Sequence, residues 1–166
     1  SIQSGKAVAE ALRSKGWNVV EMDLNEELPA ELIKQNISAA WIALHGSYGE
    51  DGAVQGLLEI LNIPYTGSGV QACAISMDKI STKKILQSSS IRLAEDQTLL
   101  RSSFEENPEL IHNISLPTVI KDPVGGSSIG VWICRSFEDL EQSLNEVFSS
   151  PAVDRILFEE LLEGKE

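Results

Sequence analysis

The sequence predicts an α/β fold, with a parallel, doubly wound N-terminal domain followed by a small α+β domain. Segments rich in β-branched residues alternate with amphipathic segments as far as residue 61, which is typical of a parallel sheet whose strands are joined by helices. Beyond about residue 75 the order becomes strand, polar loop, strand, helix and strand, which indicates an antiparallel sheet. We therefore expect two domains, residues 1–75 and 76–166.

In the N-terminal domain, helices are predicted over residues 4–15, 28–35 and 52–61, and strands over residues 17–24 and 39–44. The helical segments repeat apolar residues at helical spacing, whereas residues 17–24 alternate. Ser4 is expected to cap the first helix and Gly16 to end it. The continuous apolar run over residues 39–44 is typical of a central parallel strand that is buried on both faces.

In the second domain, helices are predicted over residues 78–88 and 137–148, and strands near residues 98–100, 116–121, 129–134 and 155–161. Asp78 is the expected N-cap of the first of these helices. A polar, glycine-rich turn over residues 122–128 joins two of the strands. This arrangement differs from a P-loop, which opens a helix.

The 166 residues are 42% hydrophobic and carry a formal net charge of −12. This charge argues against nucleic acid or an anionic membrane as a partner, and no apolar run approaches the ~20 residues needed to cross a bilayer. Cys73 and Cys134 have neither CxxC nor metal-ligand spacing, so we expect two buried thiols in a reducing compartment. No signal peptide is recognisable, and a cytoplasmic protein is expected.

Polar residues follow the strand predicted over residues 39–44, at the sheet edge where ligands of open α/β sheets bind. His45 comes directly after this strand and can donate a hydrogen bond to an anion or exchange a proton near neutral pH. A structural histidine that caps the next loop is an equally good interpretation. Asp51 precedes the following helix and is expected to cap it.

Residues 67–72 match the GxGxxA pattern of dinucleotide-binding folds. The segment before them is short and contains Pro64, which suits only an edge strand. No acid lies near Gln87, where the ribose of a dinucleotide would require one. We interpret the glycines as serving a tight turn and close helix packing, and keep a nucleotide-linked oxidoreductase as an alternative.

Two lysines stand where an anion would bind, and we expect them to converge on one ligand. Lys79 lies in the first turn of the helix that follows Asp78, where a cation opposes the helix dipole by ~0.3–1 kcal/mol unless an anion is near. Lys121 ends a strand before Gly125–Ser128, whose backbone amides can form an anion nest. The alternatives are that Lys79, Lys83 and Lys84 are solvated, and that the segment after Lys121 is a mobile surface hairpin.

Glu159 and Glu160 lie on the last predicted strand, so their side chains point to opposite faces of the sheet. One of them can be solvated while the other faces a cleft. Acid pairs of this kind are usually found at the surface, so the pattern alone does not define a site.

The run from Ala43 to Lys79 carries the pattern ALHG…GEDG…QG.LE….PYTGSGV.A.A.SMDK. With this run and the Lys121 hairpin, the chain resembles the D-alanine–D-alanine ligases of the ATP-grasp superfamily over nearly its whole length. The resemblance implies that the second domain is a central ATP-grasp domain. It also implies that ATP phosphorylates one D-alanine and that a second D-alanine attacks the acyl phosphate, in peptidoglycan precursor synthesis.

The resemblance assigns roles to individual residues. It implies that Lys79 and Lys121 hold the ATP phosphates, with the backbone of Ser128 beside the transferred phosphate. It places Ser127 and His45 beside the substrate as catalytic residues. The remaining ATP contacts would come from Glu159, Glu160, Leu162 and Glu166.

This sequence departs from the family that it resembles at some positions and lacks some of the family's features. Asp122 stands where the family usually has proline. The Mg²⁺ ligands are expected beyond Glu166, in a C-terminal domain, so we interpret the chain as an incomplete ligase that is inactive alone. Three questions stay open. The second substrate could be D-serine or D-lactate, the protein could form a homodimer, and the scaffold could be a non-catalytic binding module.

Overall fold

The computed structural model describes residues 2–126 and 130–164. The chain divides into two compact units, residues 1–76 and 77–166. The helices are α1 (Ile2–Ser14), α2 (Leu28–Lys34), α3 (Ala53–Ile60), α4 (Val70–Met77), α5 (Lys79–Leu86), α6 (Arg101–Glu106) and α7 (Phe137–Val147), with a 3₁₀ helix at Pro108–Asn113. The strands are β1 (Asp96–Leu100), β2 (Thr118–Lys121), β3 (Val131–Cys134) and β4 (Arg155–Glu160).

The first helix ends where the sequence predicts but begins earlier. Gly16 follows α1 with a φ of +84°, a left-handed conformation that glycine adopts without steric cost. Its N–H donates to Arg13 O at 2.9 Å and so closes the last turn. Ser4 lies inside α1, and the prediction that it caps the helix is wrong because Ile2 and Gln3 also adopt helical geometry.

The two strands predicted in the first unit do not form β-ladders among its described residues. Residues 17–24 form no strand, and residues 39–44 make one parallel bridge, between Ala40 and Tyr65. Trp41 is 57% exposed, so the expectation that this run is buried on both faces is wrong. A central parallel strand needs partners along both edges and helices on both faces. The described residues give this run a β-partner at Tyr65 alone.

The first unit nevertheless builds a core from alternating helices and extended segments. Ala40, Ile42 and Leu44 of the apolar run pack against it. The buried core residues come from α2, α3 and the segment after α3: Leu28, Leu32, Val54, Leu58 and Ile63. Together with the sheet of the second unit, this arrangement confirms the mixed α/β class that the sequence predicts.

The second unit is built on a four-stranded antiparallel sheet, as the sequence predicts. The strand order is β1-β4-β2-β3, and each neighbouring pair is antiparallel. Helix α7 packs on this sheet through side chains that are fully buried: Ile120, Cys134, Leu140, Leu144 and Ile156. Burying each aliphatic side chain contributes ~1.5–3 kcal/mol. This packing fixes β2 and β4, the strands that carry most of the candidate site.

Two short elements between β1 and β2 are not predicted by the sequence. They are α6 and the 3₁₀ helix at Pro108–Asn113. The guanidinium of Arg101, at the start of α6, donates to Phe148 O at 2.7 Å and to Val153 O at 2.7 Å. These contacts join α6 to the segment after α7. This short helix is therefore stabilised by tertiary contacts rather than by a local sequence signal.

The cysteines are both free thiols. Cys134 is buried as expected, whereas Cys73 is only half-buried, because the outer side of α4 is largely exposed. Within residues 2–126 and 130–164, no helix is both long enough and apolar enough to span a membrane.

Helix α7 begins with a capping box. The Ser136 hydroxyl accepts from Asp139 N–H at 3.1 Å, and the Asp139 carboxylate accepts from Ser136 N–H at 2.9 Å. The Asp139 carboxylate also accepts from Arg135 N–H, and this bond is the largest cause of the lowered pKa of Asp139. The box satisfies N–H groups that the first helical turn leaves without a partner.

Ser136→Ala should lower the free energy of unfolding by about 1 kcal/mol, because the N-terminus of α7 loses its side-chain acceptor. Urea unfolding followed by circular dichroism measures the change. Ser102→Ala, at an exposed serine of α6, is the matched control and should leave the midpoint unchanged. Equal midpoints for the two variants would contradict a stabilising role for the capping box.

Candidate functional site

The start of α5 is fixed by an N-cap and an ion pair. The Asp78 carboxylate accepts from Ser81 N–H at 3.0 Å, which confirms the predicted cap. It also accepts from the Arg155 guanidinium on β4 at 2.6 Å. Desolvation raises the pKa of Asp78, but the hydrogen bond from Ser81 and the charge of Arg155 outweigh it and hold the pKa below its ordinary value. Helix α5 is thereby fastened to the sheet at its first turn.

Lys79 reaches from α5 to the turn that follows β2. Its Nζ donates to Asp122 O at 2.9 Å and to Gly125 O, with Pro123 O at 3.4 Å. Its backbone N–H also donates to Pro123 O, at 2.9 Å. Desolvation lowers the pKa of Lys79, and the charge of Lys121 lowers it further, although Asp122 acts in the opposite direction. The ammonium group of Lys79 therefore binds the carbonyl of the residue that directly follows Lys121.

Asp122 makes two hydrogen bonds at the start of the hairpin that follows β2. Its N–H donates to Gly130 O at 3.0 Å, and its carboxylate accepts from Val124 N–H at 2.9 Å. Gly130 has a φ of +74°, and a Cβ at this position would lie 3.2 Å from the Asp122 Cβ. The left-handed φ favours glycine here, and any other residue would also have to displace the Asp122 side chain slightly.

Lys121 and Lys83 share one carboxylate on β4. The Lys83 Nζ donates to Glu159 Oε1 at 2.6 Å, and the Lys121 Nζ donates to Glu159 Oε2. Lys83 also donates to Ala94 O at 2.7 Å and lies 3.3 Å from an Asp96 carboxylate oxygen. The Lys83 side chain is 9% exposed and that of Glu159 is 13% exposed, so this ion pair is largely excluded from water.

The network determines the protonation of Glu159. Desolvation raises the pKa of its carboxyl, but the hydrogen bonds and charges of Lys121 and Lys83 outweigh this effect. The pKa of Glu159 is therefore lowered, and the group is ionised at neutral pH.

Sequence reasoning did not single out Lys83 and Asp96. The interpretation that Lys83 is solvated is wrong, whereas its neighbour Lys84 is exposed. A signal was present, since Lys83 lies four residues after Lys79 and such residues share one face of a helix. Its burial depends on β1 and β4, which are distant in sequence.

The other acid of the pair, Glu160, lies on the opposite face and is exposed. Its carboxylate accepts from Glu95 N–H at 3.0 Å, and its own N–H donates to Glu95 O at 3.0 Å. Leu162, beyond the end of β4, is 68% exposed. The ATP contacts expected of Glu160 and Leu162 stay predictions, as does the ATP contact expected of Glu159.

His45 lies in the first unit, in a turn shaped by two acids. Its side chain is 65% exposed, and Nδ1 lies 4.0 Å from Glu50 Oε1. Glu50 accepts from Gly46 N–H at 2.6 Å, while the two Asp51 oxygens accept from Tyr48 N–H at 2.7 Å and Ala53 N–H at 3.0 Å. Asp51 thus accepts a hydrogen bond from the first helical N–H of α3, although the residue at the N-cap position is Gly52.

Two glycines of the same turn are sterically required. A Cβ at Gly49 would lie 2.5 Å from the Leu44 Cβ, and one at Gly52 would lie 2.8 Å from Val70 O. Gln55, which is buried, donates to Gly49 O at 2.8 Å. Its Oε1 is the one buried side-chain oxygen or nitrogen without a hydrogen-bond partner in the part of the chain that the structure describes.

Residues 67–72 form the turn that leads into α4. Gly67 has a φ of +105°, and α4 begins at Val70. The dinucleotide fingerprint requires a strand before the glycines. In the described residues that position holds only the isolated Ala40–Tyr65 bridge. The glycines serve a turn, as the sequence interpretation holds.

Some predicted site residues lie outside the described ones. These are Ser127, Ser128 and Glu166, and their roles stay predictions. Among the described residues, no group of three or more His, Cys, Asp or Glu side chains is placed to hold a metal ion.

Solved structures share this fold. The crystal structure of D-alanine–D-alanine ligase from Bacillus anthracis matches 98% of the chain with a TM-score of 0.81 and 35% identity, over 53% of that protein's chain. The structure of this ligase complexed with ATP matches with a TM-score of 0.82 and 33% identity, over 54% of its chain. The α/β unit and the antiparallel sheet with its lysine-bearing hairpin therefore have the fold of an ATP-binding ligase.

Sequence comparisons narrow this class. A family model described as D-ala D-ala ligase N-terminus matches residues 25–68, and one described as D-ala D-ala ligase C-terminus matches residues 85–166. D-alanine–D-alanine ligases of Desulforudis audaxviator and Aquifex aeolicus are 45% and 43% identical over the whole chain, which covers 54% and 55% of them. The chain belongs to the D-alanine–D-alanine ligase family, and it spans about half the length of the curated relatives it matches.

The stability of the second unit should depend on pH through Glu159. Because its pKa is lowered in the folded chain, its contribution is complete above the ordinary pKa of about 4.5 and is lost as pH falls through the lowered value. Glu159→Gln should therefore cost about 2 kcal/mol at pH 7, the size of a hydrogen bond to a charged group. The difference from the unmodified chain should shrink below pH 4.5.

Urea unfolding at a series of pH values measures this difference. Glu141→Gln, at an exposed acid of α7, is the matched control and should follow the unmodified chain throughout. A Glu159→Gln deficit that stays constant from neutral to acid pH would contradict the role assigned to the ion pairs.

Proposed function

We propose that this chain binds the phosphates of ATP between Lys79, Lys121 and the hairpin that begins at Asp122. One observation carries the proposal: the ammonium group of Lys79 binds the carbonyls of Asp122 and Gly125, in the glycine-containing hairpin that begins directly after Lys121. The relative from Bacillus anthracis complexed with ATP has the same fold. The residues present therefore suit a polyanionic ligand.

The electrostatics of the site favour an anion. Lys79 is partly desolvated, and the nearby Lys121 opposes its positive charge. Its present acceptors are neutral backbone carbonyls. A phosphate oxygen forms a stronger, charge-assisted hydrogen bond and would relieve the repulsion between the two ammonium groups. We expect binding to depend on both lysines.

We further propose that the chain is part of an enzyme that joins two D-alanines with ATP. In this proposal the carboxylate of the first D-alanine accepts the terminal phosphoryl group, and ADP leaves. The amine of the second D-alanine then displaces phosphate and forms the peptide bond. The described lysines would bind and orient the phosphates, while His45 and Ser127 would lie beside the substrate. The product would serve peptidoglycan precursors, in the cytoplasm.

Mg²⁺ belongs to the proposal only as a partner of ATP. Such ions are held by one or two carboxylates together with the phosphates. The described residues do not bring together a set of metal-binding side chains, so we derive no step from them. Specificity for D-serine or D-lactate as second substrate and assembly into a homodimer are further proposals.

Nucleotide binding can be measured on this chain by isothermal titration calorimetry with ATP and Mg²⁺. Lys79→Met and Lys121→Met should each raise the dissociation constant by about tenfold or more, because a hydrogen bond to a charged group contributes ~1.5–3 kcal/mol. Lys84→Met, at an exposed lysine of α5, should bind like the unmodified chain. No saturable binding by the unmodified chain, or equal affinities for all variants, would overturn the proposal.

Catalysis is tested in a protein that carries this chain together with the remaining length of its relatives. We expect ADP release that requires D-alanine, and Lys121→Met should reduce it by about tenfold or more because a phosphate contact is lost. A coupled ADP assay across D-alanine, D-serine and D-lactate measures the effect. ATP binding without D-alanine-dependent ADP release would favour a non-catalytic binding module instead.

A further inference from the structure

Lys83 is a buried cation that the proposed function does not use. The residue is 7% exposed, whereas its neighbour Lys84 is exposed. Its Nζ donates to Glu159 Oε1 at 2.6 Å and to Ala94 O at 2.7 Å. A lysine is seldom buried to this extent unless it is paired, so its partner indicates what it does.

That partner is shared with a lysine that the proposal assigns to ATP. Glu159 binds Lys83 through one oxygen and Lys121 through the other. When Lys121 turns toward a phosphate, the bond at the second oxygen is lost. A carboxylate that is 13% exposed would then be left without a strong partner if Lys83 were not there. Lys83 does not have to move in this exchange.

The charged groups around this carboxylate come from four elements. Lys83 and Lys79 lie on α5, Asp96 on β1, Lys121 on β2 and Glu159 on β4. The Asp96 carboxylate lies 3.3 Å from Lys83 Nζ and adds negative charge beside Glu159. Without Lys83, the ion-pair partner left to Glu159 would be Lys121. Lys121 would then be held on the protein and less available to a ligand.

We infer that Lys83 is a positioning residue for ATP binding: it holds the Glu159 carboxylate in place and so leaves Lys121 available to the phosphates. The inference deepens the proposed function and rests on it. Lys83 itself touches no phosphate in this arrangement. Its effect on affinity therefore passes through Glu159, which separates it from a residue that only stabilises the fold.

The test is a double-mutant cycle on ATP affinity, measured by calorimetry on the 166-residue chain. Lys83→Met keeps the length of the side chain and removes its charge, and Lys84→Met is the matched control on the same helix. We expect Lys83→Met to raise the dissociation constant about tenfold and Lys84→Met to leave it unchanged. In a Glu159→Gln background, Lys83→Met should change the dissociation constant by less than about threefold, because the carboxylate that pairs with Lys121 is already absent.

Each result decides the matter. Unchanged affinity in Lys83→Met, or an equal loss in both backgrounds, overturns the inference and leaves the proposed function standing. An unmodified chain that binds no ATP overturns the proposed function and the inference together. If Lys83→Met alone does not fold, the comparison of Glu159→Gln with Lys83→Met/Glu159→Gln still decides: equal affinities support the inference, and a tenfold loss overturns it.

Discussion

The two-sided ion pairing of Glu159 is the interaction on which the candidate site depends. Its carboxylate joins Lys83 of α5 to Lys121 of β2, while Asp78 and Arg155 join the start of α5 to β4. Helix α5 is thereby attached to β4 at two points, and through Glu159 it is linked to β2. These contacts set the direction of the first turn of α5, and with it the positions of Lys79 and Lys83.

Such ion pairs determine geometry more than they add stability. Removing charges from water costs much of what their attraction gains, and the second unit already has an apolar core between its sheet and α7. A core of aliphatic side chains does not by itself dictate where an ammonium group points. Buried, hydrogen-bonded charges do so, because a misplaced partner would leave a charge unsatisfied. The arrangement suits a site that must hold several like charges close together.

The sequence predicted the elements whose signals are local. Gly16 ends α1, Asp78 caps α5, and α7 follows from its apolar spacing, since each depends on residues within one or two turns. The antiparallel strands were also predicted, from alternating segments joined by short connections. The extended run over residues 39–44 was not correctly predicted, because strand formation depends on a partner elsewhere in the chain. Lys83 was missed for the same reason: strands far away in sequence make its environment.

Asp122 gives the hairpin a property that proline, the residue expected here from the resemblance, would not. Its backbone N–H donates to Gly130 O at 3.0 Å, and proline has no N–H to donate. The two sides of the hairpin are therefore joined by one backbone hydrogen bond that proline could not form. The Asp122 carboxylate also accepts a hydrogen bond from Val124 N–H. A proline at this position would remove the hydrogen bond to Gly130 O. The turn whose carbonyls accept from Lys79 would then lose a backbone bond at its first residue.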